Sequence, residues 1–331
     1  MKVLVTGPDG VLGSNLIREL LKQDYLIRAL IEEGKQPKTI ESLPIEYVSG
    51  NLLDPWRLIK VMKGIDIVIH CGALTHVFPA RSNLVNEVNI KGTINIVEAC
   101  KLQNIKRLIY VGTANSFSAG SKGRPGNELN HFSAGKYGLD YIDSKFKAQQ
   151  IVLKAFENDG LDAVIVNPTF MIGPFDAKPS SGAMILNLCK NKVPGYTGGG
   201  KNFVAVKDVA IGVVNAITKG KSGECYILGN ENLTFRQFFD KIAKTVHVNS
   251  PKVKLPFKVV VWYGWFNSKL ATLLKYQPAL TYELAVMSNE EHYYSPEKAR
   301  RILGLPSTPI ELAIKECYDW FIENGYLNGK R

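Results

Sequence analysis

Three segments of this 331-residue chain place a lysine four residues after a tyrosine: Tyr141/Lys145, Tyr294/Lys298 and Tyr326/Lys330. Residues four apart share a face of a helix, so such a pair can bring an ammonium to a phenol. A free tyrosine has a pKa near ~10, too high for an efficient base at neutral pH. A neighbouring cation stabilises the phenolate and lowers that value, making the ring a proton carrier. The surroundings separate the three copies. Tyr141/Lys145 opens a helical segment that directly precedes a β-branched run, which puts its first turns near the carboxyl end of a sheet. In Tyr294-Ser-Pro-Glu-Lys298 the proline starts a new helix. Tyr326/Lys330 falls in the C-terminal tail, where order is least expected. Tyr137 has no lysine at the needed spacing and reads as a surface or substrate-edge residue.

The elements around this pair alternate. Apolar, β-branched runs fall at 2–7, 26–31, 45–50, 66–72, 107–113 and 162–168, with helical patterns such as 11–22, 82–103 and 141–158 between them. Continuous apolar runs suit strands buried on both faces. Repeated β-α-β order implies an α/β fold, a Rossmann-type doubly wound parallel sheet with its ligand at the carboxyl ends of the strands.

The first run ends in TGPDGVLG, with Gly7, Gly10 and Gly13 in Gly-x-x-Gly-x-x-Gly spacing. Gly7 permits a tight turn, Gly10 lets the backbone approach a pyrophosphate, and Gly13 lets the helix pack close to the strand. Phosphates would sit at the positive end of the helix starting near Val11, held by the loop Gly7, Asp9, Gly10, Val11, Leu12 and Gly13. The second run ends in LIRALIEEGK, where an adenosine ribose should lie. Glu32 there favours a free 2′-hydroxyl and hence NAD; Arg28 and Lys35 keep NADP open.

With these pieces placed, the chain resembles the extended short-chain dehydrogenase/reductases, also called the NAD-dependent epimerase/dehydratase family. TGPDGVLG is similar to its TGxxGxxG motif, and the likeness runs through nearly the whole length. SGNLLD resembles the segment that packs on adenine, with Asn51 where the family usually has Asp, followed by Leu52. IHCGA resembles the H-x-A-A stretch beside the pyrophosphate and nicotinamide ribose, which implies roles for Cys71, Gly72 and Ala73. VNPTFMIGP resembles the strand and loop that close over the nicotinamide, through Pro168 and Thr169. VNIKGTINIVEAC is similar to the N-x-x-G-T-x-N helix, leaving Asn89 as a backbone prop or part of a proton relay. Within the family, the likeness is greatest to dihydroflavonol 4-reductase-like and hopanoid-associated sugar-epimerase-like members.

The resemblance makes Thr113, Tyr141 and Lys145 the catalytic set, with Ser116 the substitute for Thr113 if the loop register differs. Moving a hydride between nicotinamide C4 and a carbinol carbon requires a proton to move at the oxygen. Tyr141 would carry that proton, Lys145 would lower its pKa and hold the nicotinamide ribose, and Thr113 would orient the substrate oxygen. His70 and His76 flank the cofactor region and read as structural.

After Pro168 the alternation loosens. Residues 1–168, with 203–228 returning, read as the dinucleotide-binding domain, and 169–202 with 229–331 as a substrate cap. Many sugar-nucleotide enzymes of this family carry Arg-x-F-V ahead of the returning segment to grip phosphates. Here the stretch is Lys201-Asn202-Phe203-Val204, and lysine lacks the bidentate fork. That favours a reductase or dehydrogenase of a small, less charged carbonyl or alcohol, with a nucleotide-sugar epimerase or dehydratase as the alternative. A cofactor-sensing or membrane-docking protein without catalysis is the remaining reading. Gly198-Gly199-Gly200 reads as a flexible turn rather than a second phosphate loop. Ser295 to Tyr326 reads as two helices, with Pro296 and Pro309 near their starts.

Between Asp240 and Glu283 there is no acidic residue, while seven lysines are interleaved with Trp262, Tyr263, Trp265 and Phe266. The reading preferred is a cap helix whose aromatics pack on the core or substrate, with the lysines in water. The alternative is peripheral contact with a membrane through 255–275. A nucleic-acid partner is disfavoured, since no recognisable binding module is present. The net charge of +11 suits anionic partners in general. Five scattered cysteines without a Cys-x-x-Cys pair fit a reducing compartment, and no His/Asp/Glu cluster has metal spacing. With neither a signal peptide nor an apolar run of about 20 residues, the expected location is the cytoplasm. A homodimer through the helices near 82–103 and 141–158 is implied by the family.

Overall fold

The computed structural model describes residues 1–327. Strands β1 (Lys2–Thr6), β2 (Leu26–Ile31), β3 (Glu46–Ser49), β4 (Ile67–His70), β5 (Arg107–Val111) and β6 (Ala163–Pro168) fall on the six apolar runs. Five further strands follow: β7 (Phe170–Ile172), β8 (Gly200–Ala205), β9 (Cys225–Leu228), β10 (Glu231–Thr234) and β11 (Glu291–His292). The main sheet has seven strands in the order β3-β2-β1-β4-β5-β6-β9, and every pairing in it is parallel. The chain order reverses between β1 and β4, which opens a crevice at their carboxyl ends.

Both faces of this sheet are apolar because adjacent strand residues point opposite ways. Val3 and Val5 join one core with the helices Val11–Leu21 and Val206–Lys219. Leu4, Val68 and Tyr110 join a second core with the helices Pro55–Val61, Gly92–Leu102 and Asp140–Asp159.

The smaller sheet centres on β8, with antiparallel β10 on one side and parallel β7 and β11 on the other. It packs on the helices Phe235–Val246 and Ile310–Glu323. Residues 203–205 therefore belong to this second sheet, and the return to the main sheet runs through the helix starting at Val206 and through β9. The two tail helices are present, Glu297–Leu303 after Pro296 and Ile310–Glu323 after Pro309.

Two sequence expectations are corrected. Gly199 and Gly200 are not a flexible turn. A Cβ on Gly199 would lie 2.3 Å from the Glu290 carbonyl, and one on Gly200 would lie 2.4 Å from the Tyr293 hydroxyl. Backbone crosses too closely there for any side chain. The aromatics of the helix Phe257–Leu274 do not pack on the core: Trp262, Tyr263, Trp265 and Phe266 are all exposed.

Candidate active site

The loop after β1 is built by close backbone contact. Gly7 has φ +63°, and a Cβ there would meet the Gly72 backbone at 2.8 Å. A Cβ on Gly13 would lie 2.2 Å from the Gly7 carbonyl oxygen, so only glycine lets the helix start this near the strand. Gly10 is exposed, and its Cβ would touch only the Gly7 oxygen, at 3.5 Å. What glycine leaves open at position 10 is room for a ligand. The Ser14 N–H makes the first intrahelical bond, to the Gly10 carbonyl at 2.9 Å. The N–H groups of Val11, Leu12 and Gly13 are therefore outside the helical ladder, and no acidic side chain occupies the first turn. The Leu12 side chain is buried in the core, so its contribution to a ligand is its backbone. Thr39 braces the loop through the Asp9 carbonyl and the Ser14 hydroxyl. This cradle fits a dinucleotide pyrophosphate.

The second strand's end is polar and exposed. Glu32 forms an ion pair with Lys35. Arg28 is committed elsewhere: its guanidinium pairs with Glu46 at 2.9 Å and donates to the Val61 carbonyl at 2.6 Å. It is not free to meet a 2′-phosphate. Exposed Asn51 caps its own turn by accepting from the Leu53 N–H at 2.9 Å, while the Leu52 side chain reaches Gly72 and Gly92.

Around the end of β4 a hydrogen-bond chain fixes His70. Thr93 donates to the Asn89 carbonyl at 2.7 Å, so His70 Nε2–H donates to Thr93 Oγ1 at 3.2 Å. His70 Nδ1 then accepts from the Thr6 hydroxyl at 2.7 Å, and Thr6 Oγ1 accepts from the Gly72 N–H at 2.9 Å. Burial, with Lys145 nearby, lowers the His70 pKa to about 3, so the ring is neutral and structural. Cys71 and Ala73 complete this turn at the crevice, and burial pushes the Cys71 thiol up to about 12. His76 is exposed.

Tyr141 and Lys145 lie on the first turns of the helix Asp140–Asp159, as the spacing required. Asp140 pins that end of the helix: it accepts from Arg81 at 2.8 Å, the Ser82 N–H at 2.7 Å and Asn86 at 3.0 Å. Lys145 is buried, donates from Nζ to the Val111 carbonyl at 2.6 Å, and stands 4.4 Å from the centre of the Tyr110 ring. Thr113 is buried two residues beyond β5, and its hydroxyl hydrogen-bonds Tyr141. Ser116, the fallback for Thr113, is buried and its hydroxyl has no partner among the described residues.

The electrostatics differ from the expectation in one respect. Burial raises the Tyr141 pKa, opposed by the Thr113 hydrogen bond. Lys145 is itself desolvated, which lowers its pKa to about 7. Its charge is gone before a buried phenol would ionise. Tyr141 is thus a protonated hydroxyl at neutral pH, poised to donate.

Sequence reading missed the props. Asn167 Nδ2 donates to the Thr113 carbonyl at 3.0 Å and to Gln149 Oε1 at 2.7 Å. Gln149 sits one helical turn after Lys145, a signal that was available. Asp140 was legible as an acidic residue in a first turn. Asn89 holds the Leu74 backbone at both its N–H and carbonyl, at 2.8 and 2.9 Å, and donates to Ser144 at 2.9 Å. It props rather than relays. Pro168 ends β6 at the same edge as Thr113. Thr169 turns its hydroxyl to Asn202 at 2.8 Å, leaving its backbone as the part that could face a cofactor.

The other two pairs are not brought together as acid–base sites. Tyr294 is buried against Ala114 and Phe117, while Lys298 pairs with Glu224. Lys330 lies outside the described residues. Tyr137 is half-buried: its hydroxyl donates to Glu290 at 2.6 Å, and it shares an apolar cluster with Tyr141, Val77, Leu284 and Met287. Lys201 stands 4.8 Å from the centre of the Phe170 ring, and desolvation lowers its pKa to about 8. Among the described residues no ion pair engages it.

A Synechocystis protein named "Putative dihydroflavonol 4-reductase" is 32% identical over 328 residues, covering 98% of this chain and 95% of that protein. "Sterol demethylase protein B" of Methylococcus capsulatus is 26% identical over 333 residues, covering 99% and 100%. The solved structure described as "Crystal structure of gox2253" superposes with a TM-score of 0.87 at 31% identity, covering 98% and 99%. The NAD dependent epimerase/dehydratase family model matches residues 3–229, and the chain belongs to that family.

Proposed function

We propose that this chain is an NAD-dependent reductase or dehydrogenase, interconverting a carbonyl and a secondary alcohol on a small, apolar substrate. The observation that carries this reading is the setting of Tyr141: a protonated phenol beside Thr113, walled by Val77, Leu284 and Met287, with lysine rather than arginine at position 201. When bound, a nicotinamide dinucleotide exchanges a hydride with the substrate carbon. Tyr141 gives its proton to the carbonyl oxygen as that oxygen becomes an alcohol, and takes one back in the reverse direction. Thr113 hydrogen-bonds the same oxygen and keeps the phenol aimed. Lys145 holds the nicotinamide ribose. The glycine loop from Gly7 to Gly13, Glu32, Asn51–Leu52, Cys71–Ala73 and Pro168–Thr169 hold the dinucleotide.

On this reading 1–168, with the return through 206–228, bind the cofactor, and 169–205 with 229–331 form the substrate cap. The protein works in the cytoplasm, which the free thiols of Cys71, Cys100, Cys225 and Cys317 support. It works as a homodimer through the helices near 82–103 and 141–158, where Leu84 and Leu102 are exposed. Peripheral membrane contact through 255–275 is taken up below. Among the described residues no helix is long and apolar enough to cross a membrane.

The relative named for sterol demethylation makes a lipid-like carbonyl the first substrate class to try. A panel of aliphatic and alicyclic ketones with NADH tests the proposal. Sustained loss of NADH absorbance supports it. Epimerised or dehydrated sugar nucleotide, formed with no net change in cofactor, would replace it with the alternative.

A further inference from the structure

The helix Phe257–Leu274 is attached to the protein along one narrow stripe. Val260, Gly264, Asn267 and Ala271 are its buried residues, spaced four, three and four apart. That stripe packs on the helix Tyr282–Met287 so closely that a Cβ on Gly264 would lie 2.7 Å from the Ala285 Cβ. At 100° per residue, the opposite side carries Trp262, Phe266, Leu273 and Val259, interleaved with Lys258 and Lys269. These are exposed, Trp262 at 61%, Phe266 at 47% and Leu273 at 76%, and the Trp262 and Phe266 rings stack 5.6 Å apart. An outward face of large apolar side chains interleaved with lysines calls for a partner.

Charge says which kind. Lys252, Lys254, Lys258, Lys269 and Lys275 are exposed around this face. Among the described residues none of them forms an ion pair, and the chain has no acidic residue from 241 to 282. We propose that this helix lies in the interface of an anionic lipid bilayer, its tryptophan–phenylalanine ridge among the acyl chains and its lysines at the headgroups. A second copy on the same patch would set lysines against lysines across a self-complementary interface, with no acid to offset them. A nucleic acid would leave the apolar ridge unburied. The proposal does not depend on the catalytic reading, because it concerns a surface whose occupancy is measured without turnover.

The test is sedimentation of the full-length protein with vesicles of phosphatidylcholine containing about 30% phosphatidylglycerol, against pure phosphatidylcholine. The protein should pellet with the anionic vesicles and be released when salt rises from about 0.1 to 0.5 M. Trp262→Ser with Phe266→Ser should lower partitioning at least tenfold. Each of Lys258→Gln and Lys269→Gln should lower it about five-fold, the usual weight of one lysine at an anionic surface. All four positions are exposed, so circular dichroism and thermal melting should match the parent. Failure to pellet, pelleting unaffected by the serine pair, or release of a self-associated oligomer by that pair in sedimentation velocity overturns the proposal. So does equal competition by duplex DNA against the vesicles.

Discussion

Lys145 donates a 2.6 Å hydrogen bond from its ammonium to the carbonyl oxygen of Val111. One bond thereby ties the helix that carries the phenol to the carboxyl end of β5, two residues before Thr113. The same edge is braced by Asn167, which donates to the Thr113 carbonyl at 3.0 Å and to Gln149 at 2.7 Å.

That arrangement makes Tyr141→Phe the first test. The hydroxyl is the only proton donor the ring offers, so kcat should fall by about 10²–10⁴. Dinucleotide affinity, followed by fluorescence titration, should stay within a few-fold. Full turnover in the phenylalanine variant would remove Tyr141 from the reaction.

Lys145 carries a pH signature. Its folded pKa is about 7, against 10.5 for the ordinary group. Below pH 7 both folded and unfolded chains hold the proton, and the burial cost is constant. Between about 7 and 10.5 the unfolded chain holds more protons, so this residue makes the fold more stable as pH rises, by up to about 1.4 kcal/mol per unit. Lys145→Met should abolish that slope. Urea unfolding at several pH values on parent and variant isolates it, since the similar contribution of Lys201 cancels in the difference.

The glycines of the loop should separate into two kinds. Gly13→Ala puts a methyl 2.2 Å from a carbonyl oxygen and should cost about 1–3 kcal/mol of stability or more. Gly10→Ala meets only an ordinary 3.5 Å contact and should melt like the parent. Its dinucleotide dissociation constant should nonetheless rise at least about tenfold, because the methyl occupies the space the phosphates need. Calorimetry and titration on the two variants read the contrast.

Cofactor choice follows from Arg28 being spent on Glu46 and two carbonyls. NADH should be preferred to NADPH by about tenfold or more in kcat/KM, a difference of about 1.4 kcal/mol. Glu32→Ser should narrow that ratio mainly by improving NADPH. A parent enzyme that prefers NADPH would show that Lys35 leaves Glu32 to meet the 2′-phosphate.

The six strands of the dinucleotide-binding half were legible because each carries β-branched or aromatic residues with a local signal of its own, even β3 at the exposed sheet edge. Strands β8, β10 and β11 were not: they are two to six residues long and exist through pairing with distant partners. The Tyr141/Lys145 pair was found from spacing and context, which carry no information about burial. Spacing shows that an ammonium can reach a phenol; it does not show that burial takes the charge from the ammonium first. The aromatic helix was misread for a related reason. Its composition says that something apolar must cover it, but only the fold shows that the protein itself does not.

The helical stretch from Asn83 to Leu102 is interrupted by a π-helical turn at Glu87–Lys91. A π turn accommodates one residue more than an α turn, so the faces before and after it are out of phase by about 100°. Upstream, Asn86 addresses Asp140 at the head of the Tyr141 helix. Downstream, Asn95 addresses the Leu52 carbonyl, at 2.8 Å, and Ile96 enters the core under the main sheet. One extra residue thus lets a single rod turn Asn86 to one neighbour and Asn95 to another, and Asn89 sits within the turn where the phase changes.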